Sequence, residues 1–275
     1  MTGRHACDPV HTMPLLCIDI GNTHTHYGVV ADGPARFRGE LPTRRIDHPS
    51  EGFGPVLDRL VGDHPDLEGG AFCTVVPAAA GLLRRVFAAH RFARPLFQLT
   101  ADHRLGVPLA YPRPQEIGQD RLANAAGAQA FCGAPVIVID LGTAVTFDIV
   151  TRARGYEGGI IAPGLAVMRR YLHEQTALLP LLDDSLDVPL AIGQSTIEAM
   201  RIGTVIGFGG MIAALLDAVL AEFAGRGEPP PTVLATGGTA ALLEQTLRRP
   251  FTIVPDLTLR GLAAACRLNR PSLQP

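Results

Sequence analysis

The chain has 275 residues with 24 basic and 26 acidic side chains, giving a formal charge of −2. All of the basic residues are arginine, so mechanisms that need a P-loop lysine, a Schiff-base lysine or a lysine general base are excluded. The near-neutral balance, without a basic run interleaved with aromatics, argues against nucleic acid as a partner. A hydrophobic content of 47% is ample for a well-buried core.

Residues 1–12 are polar and lack the apolar core of a signal peptide. They read as an N-terminal extension in which disorder is expected. Pro14–Ile20 is an apolar run ending in Asp19-Ile20-Gly21-Asn22-Thr23, and Tyr27–Val30 resumes it, a strand–turn–strand pattern. Ala35–Glu40 is a third candidate strand. Gly54–Leu60 reads as helix, Ala71–Val76 as a buried strand stopped by Pro77, and Ala78–Ala89 as helix. Asp120–Phe131 has apolar residues at helical spacing. Val136–Ile139 is a strand ending in Asp140-Leu141-Gly142-Thr143, and Ala144–Val150 follows as another. Gly159–Ala162 is a further strand and Leu165 to about Gln175 a helix. Thr196–Phe223 is mainly helical, Thr232–Ala235 is a strand running into Gly237-Gly238 and a helix, and Phe251–Val254 and the helix Leu257–Leu268 close the chain.

The longest uncharged stretch, Ile202–Leu216, is interrupted by glycines and flanked by Arg201 and Asp217. It is short for a membrane span, so a buried helix and no membrane association are expected. The five cysteines are scattered without CxxC spacing, as in the reduced thiols of a cytoplasmic protein.

Strands and helices are mixed throughout, which defines an α/β class. The pattern of apolar strand, Asp-x-Gly turn and second strand occurs at Asp19 and again at Asp140, about half a chain later. Two similar halves facing each other across a cleft explain the duplication. The expected domains are residues 13–118 and 119–275.

A strand ending in Asp-x-Gly places a carboxylate at a turn where glycine lets the backbone approach a ligand. Successive backbone N–H groups there can form an anion-binding concavity. Acidic turns that bind phosphate need a cation between carboxylate and phosphate. With no lysine, Mg²⁺, arginine and backbone amides must carry that charge. Gly118-Gln119-Asp120-Arg121 sits at a predicted helix start. It reads either as a helix cap or as a general base beside an anion-binding arginine, with Tyr111 close enough in sequence to line the same pocket. Gly158–Gly164 is a glycine-rich loop around a short strand. His24 and His26 share one strand face, but no third metal ligand accompanies them. Ser185 and Ser195 lack a GxSxG setting, so a hydrolase triad is unsupported.

Taken in order, Asp19-Ile-Gly-Asn-Thr23, Cys73-Thr-Val-Val-Pro77, Tyr111-x-x-Pro114, Gly118-x-Asp120-Arg121, Asp140-x-Gly-Thr-Ala144, Gly158-Gly-x-Ile-x-Pro-Gly164, Thr176-x-x-Leu179-Pro180, Thr196 and Thr236-Gly-Gly238 resemble type III pantothenate kinases. These belong to the superfamily of acetate and sugar kinases, chaperone ATPases and actin. The resemblance spans about Leu15 to Leu268. It implies two ribonuclease H-like (actin-like ATPase) domains facing across a nucleotide cleft, a homodimer, and phosphorylation of pantothenate by ATP, the first step toward coenzyme A. It also implies Mg²⁺ or another divalent cation, and K⁺ or NH₄⁺.

Carried over by motif, Asp19, Ile20, Gly21, Asn22, Thr23, His24, Thr25 and His26 form the first phosphate loop, with Asp19 acting indirectly on Mg²⁺. Gly142 and Thr143 contact ATP, and Asp140 ligates the monovalent cation. Asp120 is the proton acceptor, and Tyr111, Gly118, Gln119, Asp120, Arg121 and Thr196 bind pantothenate. The chain departs from the pattern at Arg113 and Ser195, where asparagine is common, and at His26, where lysine or an apolar residue occurs. Two other readings are a regulatory homologue of the same family and a superfamily enzyme acting on acetate or polyphosphate.

Overall fold

The computed structural model describes residues 14–188 and 190–270, so the extension expected at residues 1–12 lies outside the described residues. The chain divides into two compact units, up to Gln98 and from Leu99 onward.

In the first unit, β1 (Leu15–Ile20), β2 (His24–Val30), β3 (Phe37–Pro42), β4 (Gly69–Thr74) and β5 (Phe97–Gln98) form one sheet in the order β3-β2-β1-β4-β5. β1 runs antiparallel to β2 and parallel to β4. The near-continuous apolar run of β1 is what a strand covered on both faces requires. Helices α1 (Phe53–Asp63) and α2 (Pro77–Ala88) supply cover, and Leu57, Leu60, Leu83 and Phe87 share a core with Leu16, Ile18 and Phe72. Pro77 opens α2 at a position where its missing N–H costs nothing, and Ala79, Leu83 and Phe87 form the helix's buried stripe.

The second unit repeats this plan. β6 (Val136–Leu141), β7 (Ala144–Thr151), β8 (Gly155–Pro163), β9 (Thr232–Thr236) and β10 (Thr252–Ile253) are ordered β10-β9-β6-β7-β8. β6 is antiparallel to β7 and parallel to β9, as β1 is to β2 and β4. The duplicated sequence pattern is therefore a duplicated strand order. The helices are α3 (Gln119–Cys132), α4 (Leu165–Glu174), α5 (Thr196–Gly225), α6 (Leu243–Thr246) and α7 (Leu257–Asn269).

Residues 99–118 group with the second unit rather than the first. Ala110 N–H donates to the Tyr156 carbonyl at 2.8 Å and Tyr156 N–H to the Pro108 carbonyl at 2.9 Å, tying this segment to β8. The buried helix expected around Ile202–Leu216 is buried on one face only. Val205, Phe208, Ile212, Leu216, Val219 and Phe223 of α5 enter the core at three- and four-residue spacing, while Ile197 and Ile206 are exposed. α5 is also long and apolar enough to cross a membrane by length and composition, but the packed stripe is that of a core helix.

α3 and α7 approach closely through two glycines. A Cβ on Gly261 would overlap the Ala123 carbonyl, and one on Gly127 would lie 2.6 Å from the Leu257 carbonyl oxygen. This contact brings Thr258 of α7 against Asn124 of α3.

Candidate active site

In the first unit, Ile20 pairs with Thr25, leaving Gly21 to His24 as the turn between β1 and β2. Gly21 N–H donates to the His24 carbonyl at 3.0 Å. Thr43, just after β3, fastens the turn from outside. Its hydroxyl donates to the Gly21 carbonyl at 2.7 Å, its N–H donates to the Thr23 carbonyl at 2.9 Å, and it shares a 3.0 Å bond with the Thr25 hydroxyl. Thr25 is buried and faces inward, as is Ile20, whose carbonyl accepts Val75 N–H at 3.1 Å. Asn22, Thr23, His24 and His26 are exposed. The His24 and His26 rings lie on one face, 6.2 Å apart. Although the His26 ring is half accessible, partial desolvation against the strand lowers its pKa, opposed by the pull of Glu40. Asp19 is half-buried on β1 opposite Cys73 of β4, whose thiol donates to Asp19 Oδ1 at 3.2 Å.

In the second unit, Leu141 pairs with Val145, and the turn is Gly142 to Ala144, one residue shorter. Gly142 N–H donates to the Ala144 carbonyl at 3.1 Å. Two glycines singled out in the sequence press against this turn. A Cβ on Gly164 would overlap the Gly142 and Thr143 carbonyls, and Gly164 N–H donates to Thr143 O at 3.1 Å. Gly237 holds φ +92°, and a Cβ there would lie 2.6 Å from the Leu141 backbone. Both glycines therefore set the shape of the turn, which leaves Gly142 and Thr143 exposed.

The start of α3 carries the densest chemistry. Asp120 Oδ1 accepts the N–H of its neighbour Arg121 at 2.9 Å, while the first turn of the helix is closed by Leu122 N–H donating to the Gly118 carbonyl at 3.1 Å. A Cβ on Gly118 would overlap that same oxygen, so the glycine makes room for the carboxylate. Burial raises the Asp120 pKa, against the hydrogen bond from the Arg121 backbone.

Arg121 turns inward. Its Nε donates to Asp148 Oδ1 at 2.7 Å and one Nη to the Phe147 carbonyl at 2.8 Å. Asp148 of β7 is fully buried and also accepts the Tyr156 hydroxyl at 3.2 Å. Asn124, one helical turn beyond Asp120, donates through Nδ2 to Asp148 Oδ2 at 3.2 Å and to Asp140 Oδ2 at 3.0 Å. Its own carbonyl accepts the Thr258 hydroxyl at 2.8 Å. Burial pushes both Asp140 and Asp148 up to about 6. Asn124 opposes the shift at Asp140, Arg121 and Asn124 oppose it at Asp148, and Asp120 adds to it at both.

Tyr111 is half-buried with its ring 6.5 Å from that of Tyr156. Gly158, at φ +120°, leaves space for it, since a Cβ there would sit 3.0 Å from the Tyr111 ring. A Cβ on Gly159 would lie 2.7 Å from an Arg121 Nη. Thus Tyr111, Gly118, Asp120, Arg121, Asp140 and the Gly158–Gly159 step are gathered around Asp148, which pairs with Val138 and Gly159 within the second sheet. Gln119 is the first residue of α3. Thr196 stands apart, exposed in the first turn of α5, where Ser195 Oγ accepts Glu198 N–H at 3.2 Å.

Sequence reasoning missed Asp148, Asn124, Tyr156 and Thr258. One signal was available: Asp148 is a lone acid inside the apolar strand Ala144–Val150, and a buried carboxylate needs partners.

The sequence profile of type III pantothenate kinases matches residues 15–218. The chain belongs to the type III pantothenate kinase family. A type III pantothenate kinase of Akkermansia muciniphila is 41% identical over 94% of this chain and 100% of its own length. One from Methylacidiphilum infernorum is 38% identical over 90% of this chain and 86% of its own.

Among solved structures, a Baf family transcriptional activator protein from Campylobacter jejuni aligns with a TM-score of 0.57 at 17% identity, covering 93% of this chain and 98% of that one. Component A of (R)-2-hydroxyglutaryl-CoA dehydratase from Acidaminococcus fermentans aligns with a TM-score of 0.52 at 15% identity, covering 92% and 96%. At such identities the likeness is one of fold: two α/β units, each built on a mixed five-stranded sheet.

Proposed function

We propose that this chain transfers the γ-phosphoryl group of ATP to the hydroxyl of pantothenate, forming 4′-phosphopantothenate on the route to coenzyme A. The observation that carries the reading, within the family framework, is the Asp120 carboxylate. It sits at the start of α3 with its pKa raised by burial and with Gly118 clearing its space. Asp120 takes the hydroxyl proton as the new oxygen–phosphorus bond forms and the bond from the γ-phosphorus to the ADP oxygen breaks. Tyr111, Gly118, Gln119, Arg121 and Thr196 are assigned to pantothenate. Asp19 through His26 and Gly142–Thr143 are assigned to nucleotide phosphates.

The acidic residues suit cations. Asp140 is half-buried near the end of β6, with a pKa pushed up to about 6 by desolvation and an amide donor from Asn124. K⁺ or NH₄⁺ would find a carboxylate ligand there. Among the described residues no group of three His, Cys, Asp or Glu side chains forms a complete metal site. A Mg²⁺ ion influenced by Asp19 would therefore take most of its ligands from phosphate and water. When bound, the divalent ion neutralises charge on the transferring phosphoryl group.

The chain is assigned to the cytoplasm and to a homodimer. Supporting the dimer, all the exposed large apolar side chains among the described residues except Phe131 and Leu268 lie between Ile161 and Ile206. Sedimentation tests the dimer. A coupled ADP-release assay with pantothenate, in K⁺ and then in Na⁺ buffer, tests the activity. Folded protein that turns over acetate, or nothing, overturns the assignment.

A further inference from the structure

The residue that links the groups assigned to the two ends of the reaction is one that sequence reasoning overlooked. Asp148 touches neither turn, yet its two oxygens hold the side chains on either side of it. Oδ1 receives Arg121 Nε at 2.7 Å and the Tyr156 hydroxyl at 3.2 Å, and Oδ2 receives Asn124 Nδ2 at 3.2 Å. Arg121 follows Asp120 directly and donates its backbone N–H to the Asp120 carboxylate. Asn124 passes the same Nδ2 group on to Asp140. A continuous path therefore runs from Asp120 through Arg121, Asp148 and Asn124 to Asp140.

We propose that Asp148 is a positioning residue for phosphoryl transfer, acting through Arg121 to fix the first turn of α3 and with it the Asp120 carboxylate. This rests on the reading of Asp120 as the proton acceptor.

Three features favour positioning over simple packing. First, a fully buried carboxylate is a costly way to fill a strand interior, and an apolar residue of similar volume would stabilise at least as well. Second, Arg121 is fixed as a two-point fork, because a second nitrogen binds the Phe147 carbonyl at 2.8 Å. A fork sets orientation as well as distance. Third, the backbone beside the fork is shaped for it. Gly159 leaves the space that Arg121 Nη2 occupies, and Gly118 leaves the space that Asp120 Oδ1 occupies. The consequence for substrate recognition is specific. Nε is spent on Asp148 and Nη2 gives one of its two hydrogens to the Phe147 carbonyl, so Arg121 meets a ligand only through Nη1 and the remaining Nη2 hydrogen, with a charge already balanced by Asp148.

The experiment compares kcat and KM for pantothenate in wild type, Asp148→Asn, Arg121→Gln and the double variant, with thermal melts of each. Wild-type turnover of pantothenate tests the functional reading on its own; the variants, measured relative to it, test the positioning role. The expected result is a kcat about 100-fold lower in Asp148→Asn, the scale of an ångström-level misplacement of a reacting group. Nucleotide affinity is expected to stay within about threefold. The double variant is expected to be no worse than Arg121→Gln alone, because both lesions break one path. Multiplying losses, or a kcat for Asp148→Asn within a few-fold of wild type, overturns the proposal.

If Asp148→Asn does not fold, Arg121→Lys decides. It keeps the positive charge but loses the fork, so the positioning role predicts a kcat loss close to that of Arg121→Gln. A kcat for Arg121→Lys near wild type overturns it.

Discussion

Replacing Asp120 with asparagine tests the proposed chemistry with little disturbance of the fold. The amide keeps an oxygen where Oδ1 accepts the Arg121 N–H at 2.9 Å, and the Leu122-to-Gly118 backbone bond that closes the first turn of α3 is untouched. What disappears is one negative charge at a helix N-terminus, worth about 0.3–1 kcal/mol. Working the other way, Asp120 raises the pKa values of Asp140 and Asp148, and its neutralisation relieves that repulsion. The two effects oppose each other, so stability should change by no more than about 1 kcal/mol. Catalysis should change far more. Loss of a positioned general base costs about 10²- to 10⁴-fold in kcat, or about 2.7–5.5 kcal/mol of barrier. The assay is ADP release at saturating ATP and pantothenate, with calorimetric titration of both ligands to show that binding survives. A second readout is the pH profile. Burial holds the Asp120 pKa above the ordinary carboxylate range, and the base is active only when ionised. The acid limb of kcat/KM should therefore rise at higher pH than a solvated aspartate would give, and the variant should lose the share of that limb due to Asp120 while keeping the share of Asp140 near 6. A kcat within tenfold of wild type, or an unchanged acid limb, would refute the role of Asp120.

Thr43→Val removes the hydroxyl that binds the Gly21 carbonyl and Thr25. It should cost about 1–3 kcal/mol in urea unfolding and raise the KM for ATP several-fold, leaving the KM for pantothenate alone. Gly158→Ala forces a side chain into φ +120° and against Tyr111. The KM for pantothenate should rise about tenfold, the effect of about 1.4 kcal/mol, with nucleotide affinity unchanged in direct titration. Gly261→Ala drives a methyl into the Ala123 carbonyl. Separating α3 from α7 should cost about 3 kcal/mol or more, read as a Tm lower by about 6–12 °C. Asp140→Asn removes a half-buried charge whose pKa stands near 6. In buffer without added cations it should raise Tm, while turnover falls at least about tenfold and loses its difference between K⁺ and Na⁺.

What the sequence could show was local. The turns at Asp19 and Asp140 were legible because a strand, an Asp-x-Gly turn and a second strand are contiguous, and their repetition announced the matching strand orders of the two sheets. The start of β2 was placed at Tyr27 rather than His24 because His24-Thr25-His26 hides one buried residue between two exposed ones. β5, two residues long, was missed: Phe97 and Gln98 offer no β-branched run of the kind that marked the equally short β10 at Thr252–Ile253. Arg121 was legible as functional but not in its direction. Its partner lies 27 residues away on β7, and no local rule turns a helix-start arginine inward. The same holds for Asn124, whose partner Thr258 is 134 residues distant. Nothing local singles it out within an alanine-rich helix, since only the close contact between α3 and α7 brings it to Thr258. Gly164 and Gly237 were visible as loop glycines, but their common purpose was not. Both press against the turn after β6, and only tertiary structure brings their two segments to it.

The missing lysine acquires a structural meaning at this point. Every side chain that is positive at all working pH values here is a guanidinium, and the one placed in the α3 network is bound to Asp148 and the Phe147 carbonyl. Within that network Asp120, Asp140 and Asp148 face a single arginine. Burial holds Asp140 and Asp148 near pKa 6, and with positive charge in short supply the arginine opposes that shift only at Asp148. A lysine reaching toward the phosphates would relieve the shortage permanently, lowering those pKa values and weakening Asp120 as a base. Leaving it unrelieved keeps Asp120 poised to accept a proton and keeps Asp140 receptive to a small cation. On this argument the polar network is built to be completed on binding, which is why Asp140→Asn should stabilise the empty chain and impair the working enzyme.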